Sequence, residues 1–222
     1  QFHNVNGIDA DGCECGEAVK AGEDVPDRFD AFPDVEAHYA DRNCDGIDGD
    51  LSTSLFVNAQ STHSSGTREA PYRTIMEAVK AFDASKHSAI LVAVGTYREQ
   101  VVIGSGIKLY GGYASDFSSR NIVLHPTQIE APYVKGSKHQ GSLVVTSSQQ
   151  ETVVNGFRIK GYDVTETSET GVVGTNAYAV VIENGSNKLS LSNNEIFAGT
   201  GGQGGRGKSG ESGANGGNGE NG

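Results

Sequence analysis

Val153-Val154-Asn155-Gly156-Phe157-Arg158-Ile159 aligns with Ser192-Asn193-Asn194-Glu195-Ile196-Phe197-Ala198 at an offset of 39 residues, each stretch preceded by a run of alternating apolar residues. Around them, from Leu55 onward, lie short β-rich runs separated by Gly, Asn and Ser turns, a pattern that sandwiches and solenoids share. The internal repeat decides for the solenoid. An offset of 39 suits two coils of a parallel β-helix, or one coil carrying the polar insertion at 163–175. In such a stack Asn155 and Asn194 are the candidates for an amide ladder from coil to coil, although ordinary turn asparagines have the same appearance.

Working outward, the β-rich runs fall at 55–59, 89–94, 100–103, 107–110, 127–131, 143–146, 152–160, 177–183 and 188–198, with a turn at Gly95. A single helix interrupts them at 74–84. Thr74 and Glu77 form its capping box, and Ile75, Ala78, Val79 and Phe82 recur at helical spacing as one apolar stripe. The chain thus divides into an acidic segment at 1–54, a mainly β shaft at 55–199, and a tail at 200–222.

The charge is confined to the first part. Residues 1–50 hold 14 Asp and Glu against 3 Lys and Arg, so the whole formal charge of −11 sits there, and the remainder is balanced. All three cysteines lie there too, among few aliphatic residues, and so small a segment needs staples other than a core. Asp41-Arg42-Asn43-Cys44-Asp45-Gly46-Ile47-Asp48-Gly49-Asp50 has the form D-x-N-x-D-G-x-D. Oxygens at alternate positions with a glycine for the sharp turn suit a hard divalent cation with six to eight oxygen ligands. The expected ion is Ca²⁺, held by the side chains of Asp41, Asn43 and Asp45, the carbonyl of Ile47, and Asp48 or Asp50. The loop departs from an EF-hand, with Ser52 at the twelfth position and no flanking helices. A second metal site is read at Asn4, Asn6, Asp9 and Asp11, with Asp24, Asp27, Asp30 and Asp34 as further donors. Cys13 and Cys15 are too close together to bridge each other comfortably, so one of them is expected to pair with Cys44.

The tail reads differently again. Gly201, Gly204, Gly207, Gly210, Gly213, Gly216, Gly219 and Gly222 fall in strict three-residue register, with polar triplets and no proline. Collagen needs Pro or hydroxyproline to pre-set its backbone, so polyglycine II is preferred: left-handed helices of three residues per turn that hydrogen-bond side by side. The register glycines line one edge, where a neighbouring backbone can approach closely. Since this register occurs once, the expected partners are other copies of the chain, another Gly-rich protein, or residues beyond Gly222.

One more observation bears on the shaft. Leu55-Phe56-Val57, then 66–75 (Gly-Thr-Arg-Glu-Ala-Pro-Tyr-Arg-Thr-Ile), Val92-Ala93-Val94-Gly95-Thr96-Tyr97-Arg98-Glu99 and Ile107-Lys108-Leu109-Tyr110-Gly111-Gly112-Tyr113 occur in fixed order and spacing. Over residues 55–113 the chain resembles the bacterial family of unknown function that opens many secreted, pectin-lyase-like right-handed β-helices. The resemblance implies that the helix caps the first coil, and that the Asp-rich motif and Gly-rich tail belong to a surface protein. It implies no activity.

Nothing between Leu55 and Ala198 gathers the paired aspartates and basic residues with which polysaccharide lyases and hydrolases of that fold work. Asp116, Asp163, Glu183 and Glu195 are scattered, and Arg98 with Glu99, and Arg158 with Lys160, read as solvent-facing strand positions. No catalytic residue is assigned. The negative charge and lack of a basic stripe exclude nucleic acid, and no stretch is long and apolar enough to span a bilayer. The chain starts at Gln1 without a signal peptide and is read as a mature exported product of the bacterial cell surface. The expected function is structural or adhesive, with assembly through the tail and a surface polysaccharide as a further partner. The alternative is a carbohydrate-binding or polysaccharide-cleaving β-helix, which would place Tyr97, Tyr110, Tyr113 and Tyr162 along an open groove.

Overall fold

The computed structural model describes residues 20, 23–37, 39–135, 140–165, 168–214 and 216–217. Among these, the elements are β1 (Ser54–Val57), α1 (Ile75–Ala81), β2 (Ala89–Ala93), β3 (Gly95–Tyr97), β4 (Val101–Ile103), β5 (Lys108–Tyr113), β6 (Thr127–Glu130), β7 (Gly141–Val145), β8 (Thr152–Asn155), β9 (Phe157–Lys160), β10 (Tyr178–Ile182), β11 (Leu189–Ser192) and β12 (Glu195–Phe197). The strands form three sheets, ordered β1-β2-β5-β8-β11, β4-β7-β10 and β3-β6-β9-β12. Their ladders are parallel throughout. Each turn of the chain thus gives one strand to each sheet: β2-β3-β4, β5-β6-β7 and β8-β9-β10 are successive coils, preceded by β1 and followed by β11-β12. The arrangement is consistent with a parallel β-helix.

Alternation along each strand sorts side chains inward and outward. In the first sheet Leu55, Ile90, Leu109, Val154 and Leu191 are register partners and belong to the inner core or pack on it. Their neighbours Phe56, Leu91 and Tyr110 point the other way, into a second core that Ile47 and Leu51 of the acidic segment complete. The part of the acidic segment around Ile47 and Leu51 therefore lies on the outer face of this sheet.

The repeat is one coil long, not two, and its spacing is 37 residues, since Asn155 pairs with Ser192 and Arg158 with Glu195. The polar insertion accounts for the length, as the second of the two sequence readings has it. The offset of 39 is corrected for a physical reason: a slip of two residues along a strand leaves the inward and outward pattern intact, so periodicity cannot detect it. The corner fixes the register instead. Gly156 (φ 82°) and Asn193 (φ 52°) fill the same left-handed bend one coil apart, a conformation that Gly and Asn tolerate best. Accordingly Asn155 Nδ2 donates to Asn193 Oδ1 at 2.8 Å and Ser192 Oγ at 3.0 Å. Asn194 serves the backbone instead, accepting from Phe157 N at 2.9 Å and donating to Val154 O at 2.8 Å.

The helix α1 is set up by its sequence and then docked. Both halves of the Thr74–Glu77 capping box form, and the carboxylate of Glu99 accepts the amides of Ile75 at 2.8 Å and Met76 at 3.0 Å. Glu99 is thus a helix N-terminal acceptor and not a solvent-facing strand residue. Ile75 and Ala78 enter the inner core, and Met76, Val79 and Phe82 pack on it. The helix ends three residues short of the expected 84, because Phe82 turns to an extended conformation. The turn expected at Gly95 is the start of β3, its φ of 151° making the bend from β2.

Candidate functional site

The 41–50 loop folds around its own side chains. Cys44, Gly46 and Gly49 take positive φ values of 62°, 91° and 114°, which coil the backbone so that oxygens face inward. Asp41 accepts from Asp45 N at 3.2 Å and Gly46 N at 2.8 Å, and Asn43 Oδ1 also takes Asp45 N, at 3.1 Å. Asn43 Nδ2 sits where three oxygens converge: Asp45 Oδ2 at 2.7 Å, Gly49 O at 3.3 Å and Asp50 Oδ2 at 3.4 Å. The other Asp50 oxygen holds the amides and hydroxyls of Ser52 and Thr53. Asp45 Oδ1 is buried and has no hydrogen-bond partner among the described residues, and burial raises the Asp45 pKa.

This donor set fits a hard cation. Two carboxylates and a carbonyl already surround one donor group, and an orphaned carboxylate oxygen lies beside them. Among the described residues no group of three or more His, Cys, Asp or Glu side chains is disposed as metal ligands; the convergence here depends on Asn43 and a backbone oxygen as well. Of the residues named from sequence, Asp41, Asn43, Asp45 and Asp50 come together. Ile47 turns its side chain into the outer core at 2% exposure, and Asp48 is engaged elsewhere. Asn4, Asn6, Asp9, Asp11, Cys13 and Cys15 lie outside the described residues. Cys44 is disulfide-bonded.

Asp48 belongs to the junction between acidic segment and shaft. Its carboxylate meets Arg120 Nη1 at 2.9 Å and accepts Asp27 N at 3.0 Å. Burial pushes its pKa up against the pull of Arg120. Arg120 also donates to Gly111 O, Asp27 O and Asn155 Oδ1, and its guanidinium lies 5.1–5.4 Å from the ring centres of Tyr39, Tyr110 and Tyr113. Nearby, Arg42 pairs with Asp27 and with Asp24, whose pKa burial raises to about 6. Sequence reasoning missed Arg120 entirely. Its partners are 72 and 35 residues away along the chain, and a single arginine in a Ser-rich turn gives no local signal.

The start of the tail is not alone. The carbonyls of Phe197, Thr200, Gln203 and Arg206 accept from the amides of Gly161, Val164, Ser168 and Gly171, while Gly202 N and Gly205 N donate to Thr175 O and Val172 O. These acceptors, spaced by three along one segment, are bonded to a neighbouring segment rather than internally. The neighbour is the chain's own insertion, which the sequence reading did not name as a partner. The close approach falls on the row 199, 202, 205. A Cβ at Gly199 would collide with Tyr162 O, and one at Gly205 with Glu169 O. Gly201 and Gly204 have ordinary clearance, 3.4 and 3.5 Å to the nearest atom, and Gly207, Gly210, Gly213 and Gly216 face open space. Gly219 and Gly222 lie outside the described residues.

The four tyrosines do not line one open groove; of them only Tyr110 borders a pocket of about 480 Å³, beside Phe82, His87, Lys108 and Glu151. Tyr97, Tyr110, Tyr113 and Tyr162 are 2%, 1%, 0% and 5% exposed, each a packing residue. On the outer face of the β3-β6-β9-β12 sheet, Arg158 pairs with Glu195 at 2.6 Å and Lys160 with Glu130 at 2.9 Å. Asp116 caps its own turn through Ser118, and Asp163 accepts Thr200 N. No described helix is long and apolar enough to cross a membrane.

A family model described as a protein of unknown function, DUF1565, matches residues 57–218. No curated protein and no solved structure matches the chain.

Proposed function

We propose that this chain, which belongs to the DUF1565 family, is a non-catalytic structural or adhesive protein of the bacterial cell surface, assembling through its tail into a multi-chain structure such as a fibre. The observation that carries this reading is the contrast between two glycine rows. The row 199, 202, 205 is filled by the chain's own insertion and then gives way to Lys208, Glu211 and Ala214, where no such neighbour is needed. The row 201, 204, 207, 210, 213, 216 continues in register, and from Gly207 onward no described residue would lie within 4 Å of a Cβ added there. Glycine costs conformational entropy wherever it is ordered, and a backbone from another copy lying in the open row would offset that cost as the insertion does in the filled one.

The rest of the molecule suits this role. α1 acts as a cap on the first coil, and the 41–50 loop as a calcium brace with Asp41, Asn43, Asp45 and Asp50 as the side chains that would hold the ion. Bound Ca²⁺ would neutralise the converging carboxylates and stiffen the loop against the shaft. The disulfide of Cys44 closes the same segment, in keeping with an oxidising, calcium-rich exterior. A surface polysaccharide remains the partner class for adhesion.

The test is sedimentation of the full chain beside a Gly210→Val, Gly213→Val variant. Multi-chain species are expected for the parent and absent from the variant, with unchanged far-ultraviolet circular dichroism. A parent that sediments as a monomer at every concentration sinks the reading.

A further inference from the structure

Where the acidic segment meets the first sheet, a pocket of about 480 Å³ opens on the outer side. Asp24, Val25 and Pro26 supply one part of its wall, residues 84–88 after α1 another, and Lys108 and Tyr110 of β5 a third. Two of these side chains bring a buried oxygen whose hydrogen bond is unmade: Asp24 Oδ1 and the Tyr110 hydroxyl have no partner among the described residues, and each residue is 1% exposed. Both are held in place from behind. Asp24 Oδ2 accepts Arg42 N at 2.9 Å, and the Tyr110 ring belongs to the outer core. Buried polar groups are nearly always paired, so two orphans at one pocket, used neither by the fold nor by the 41–50 loop, mark a place for a ligand.

The charges around the pocket are already balanced. Lys108 meets Glu151 at 2.7 Å, Lys86 meets Asp83 at 3.0 Å, and Asp24 Oδ1 lies 3.7 Å from Arg42 Nη1, close enough to offset its charge and too far for a hydrogen bond. A charged ligand would have to break one of these pairs; a neutral one would not. What remains on offer is an acceptor on Asp24, a hydroxyl on Tyr110 and a donor on His87, whose Nδ1 accepts Asp83 N at 3.0 Å and so leaves the ring proton on Nε2. The rings of Phe82 and His87, 5.7 Å apart between centres, add aromatic surface for the C–H face of a ligand.

We infer that this pocket binds a neutral sugar unit. Several hydroxyls on a compact, uncharged frame answer an acceptor, a hydroxyl and a donor at once. The volume lies in the range of small-molecule sites and admits on the order of one or two sugar rings, so the pocket takes the end of a chain or a short branch. The inference rests on the adhesive part of the reading above and names the kind of polysaccharide that reading left open. Because acidic segment and shaft both contribute wall, the site is complete only while the two are joined.

The experiment is saturation-transfer NMR of the full chain with glucose, galactose and N-acetylglucosamine, and with galacturonate as the charged counterpart. Transfer is expected to at least one neutral sugar and to be weaker for galacturonate. Tyr110→Phe should weaken that binding about fivefold, as the loss of one hydrogen bond does, with melting unchanged at neutral pH, and Asp24→Asn should weaken it too. Tyr178→Phe, at an exposed tyrosine of β10, should leave it as in the parent. Absence of transfer to every neutral sugar overturns the inference, as does stronger transfer to galacturonate or binding that both Tyr110→Phe and Asp24→Asn leave intact. Assembly is read separately by sedimentation. A parent that forms multi-chain species without binding sugar removes the pocket alone, and a monomeric parent that binds sugar keeps the pocket and removes the fibre.

Discussion

Arg120 Nη1 lies 2.9 Å from Asp48 Oδ2 with side chains 0% and 2% exposed, and through this pair a turn of the shaft grips the acidic segment. Removing one member of a buried pair leaves the other charged in a dry site, at a cost of about 3–5 kcal/mol. Asp48→Ala and Arg120→Ala should each destabilise the protein by that order in denaturant unfolding. The double change Asp48→Leu, Arg120→Met should lose much less than the sum. Additive losses would show that the pair is not a unit.

Tyr110 gives a pH signature. Its hydroxyl is buried with no hydrogen-bond partner among the described residues, and burial raises its pKa from 10.0 to about 12. The unfolded chain releases this proton near 10 while the folded chain keeps it, so Tyr110 weakens the fold as pH climbs from about 10 to about 12 and contributes no such loss below 10. Tyr110→Phe should leave stability at neutral pH unchanged or raised by up to about 1 kcal/mol. It should also flatten part of the alkaline decline seen in pH-dependent melting; an identical decline in both proteins contradicts the assignment.

The calcium loop predicts an ordered set of affinities. Asp45→Asn, which alters the carboxylate with the orphaned oxygen, should weaken Ca²⁺ binding at least tenfold, about 1.4 kcal/mol, in titration calorimetry. Asp30→Asn, outside the loop, should leave the affinity unchanged. Absence of any binding heat in the parent would remove the loop from consideration.

Glycine rows can be told apart by single methyl groups. At Gly205 an added Cβ collides with Glu169 O, whereas at Gly210 it meets nothing. Gly205→Ala should therefore abolish the exchange protection of the Gly202 and Gly205 amides in dilute monomer. Gly210→Ala should leave them untouched. Equal behaviour would show that the tail is not seated on the insertion.

In the core, Ile159 is fully buried between Ile129 and Ile196 in the ladder. Ile159→Ala should cost about 2–5 kcal/mol in equilibrium unfolding, and less than about 2 would indicate that the coils collapse around the gap.

What could be read from residues alone follows the range of the forces involved. The helix α1 was legible because capping and periodicity are local, and most strands because alternation is local too. The coil spacing was missed by two because inward and outward faces repeat every two residues. Glu99 was misplaced since its partners are the amides of a helix more than twenty positions earlier. In the 41–50 loop the spacing of oxygens could not show that Asp48 is paired with an arginine 72 residues further along the chain. The tail showed its period clearly, but the row that packs is set by the insertion, whose own polar, irregular sequence carries no matching period.

The pairing of insertion and tail has a mechanical meaning. The amides of Gly161, Val164, Ser168 and Gly171 meet the carbonyls of Phe197, Thr200, Gln203 and Arg206 in the same chain order, so tension applied along the tail pulls across their shared hydrogen bonds rather than along them. Such a row is loaded in shear, all its members straining together, where a hairpin pulled open at its mouth would unzip one bond at a time. The root of the tail is thereby a graft that resists pulling, placed where the stacked strands end and the glycine-register segment begins.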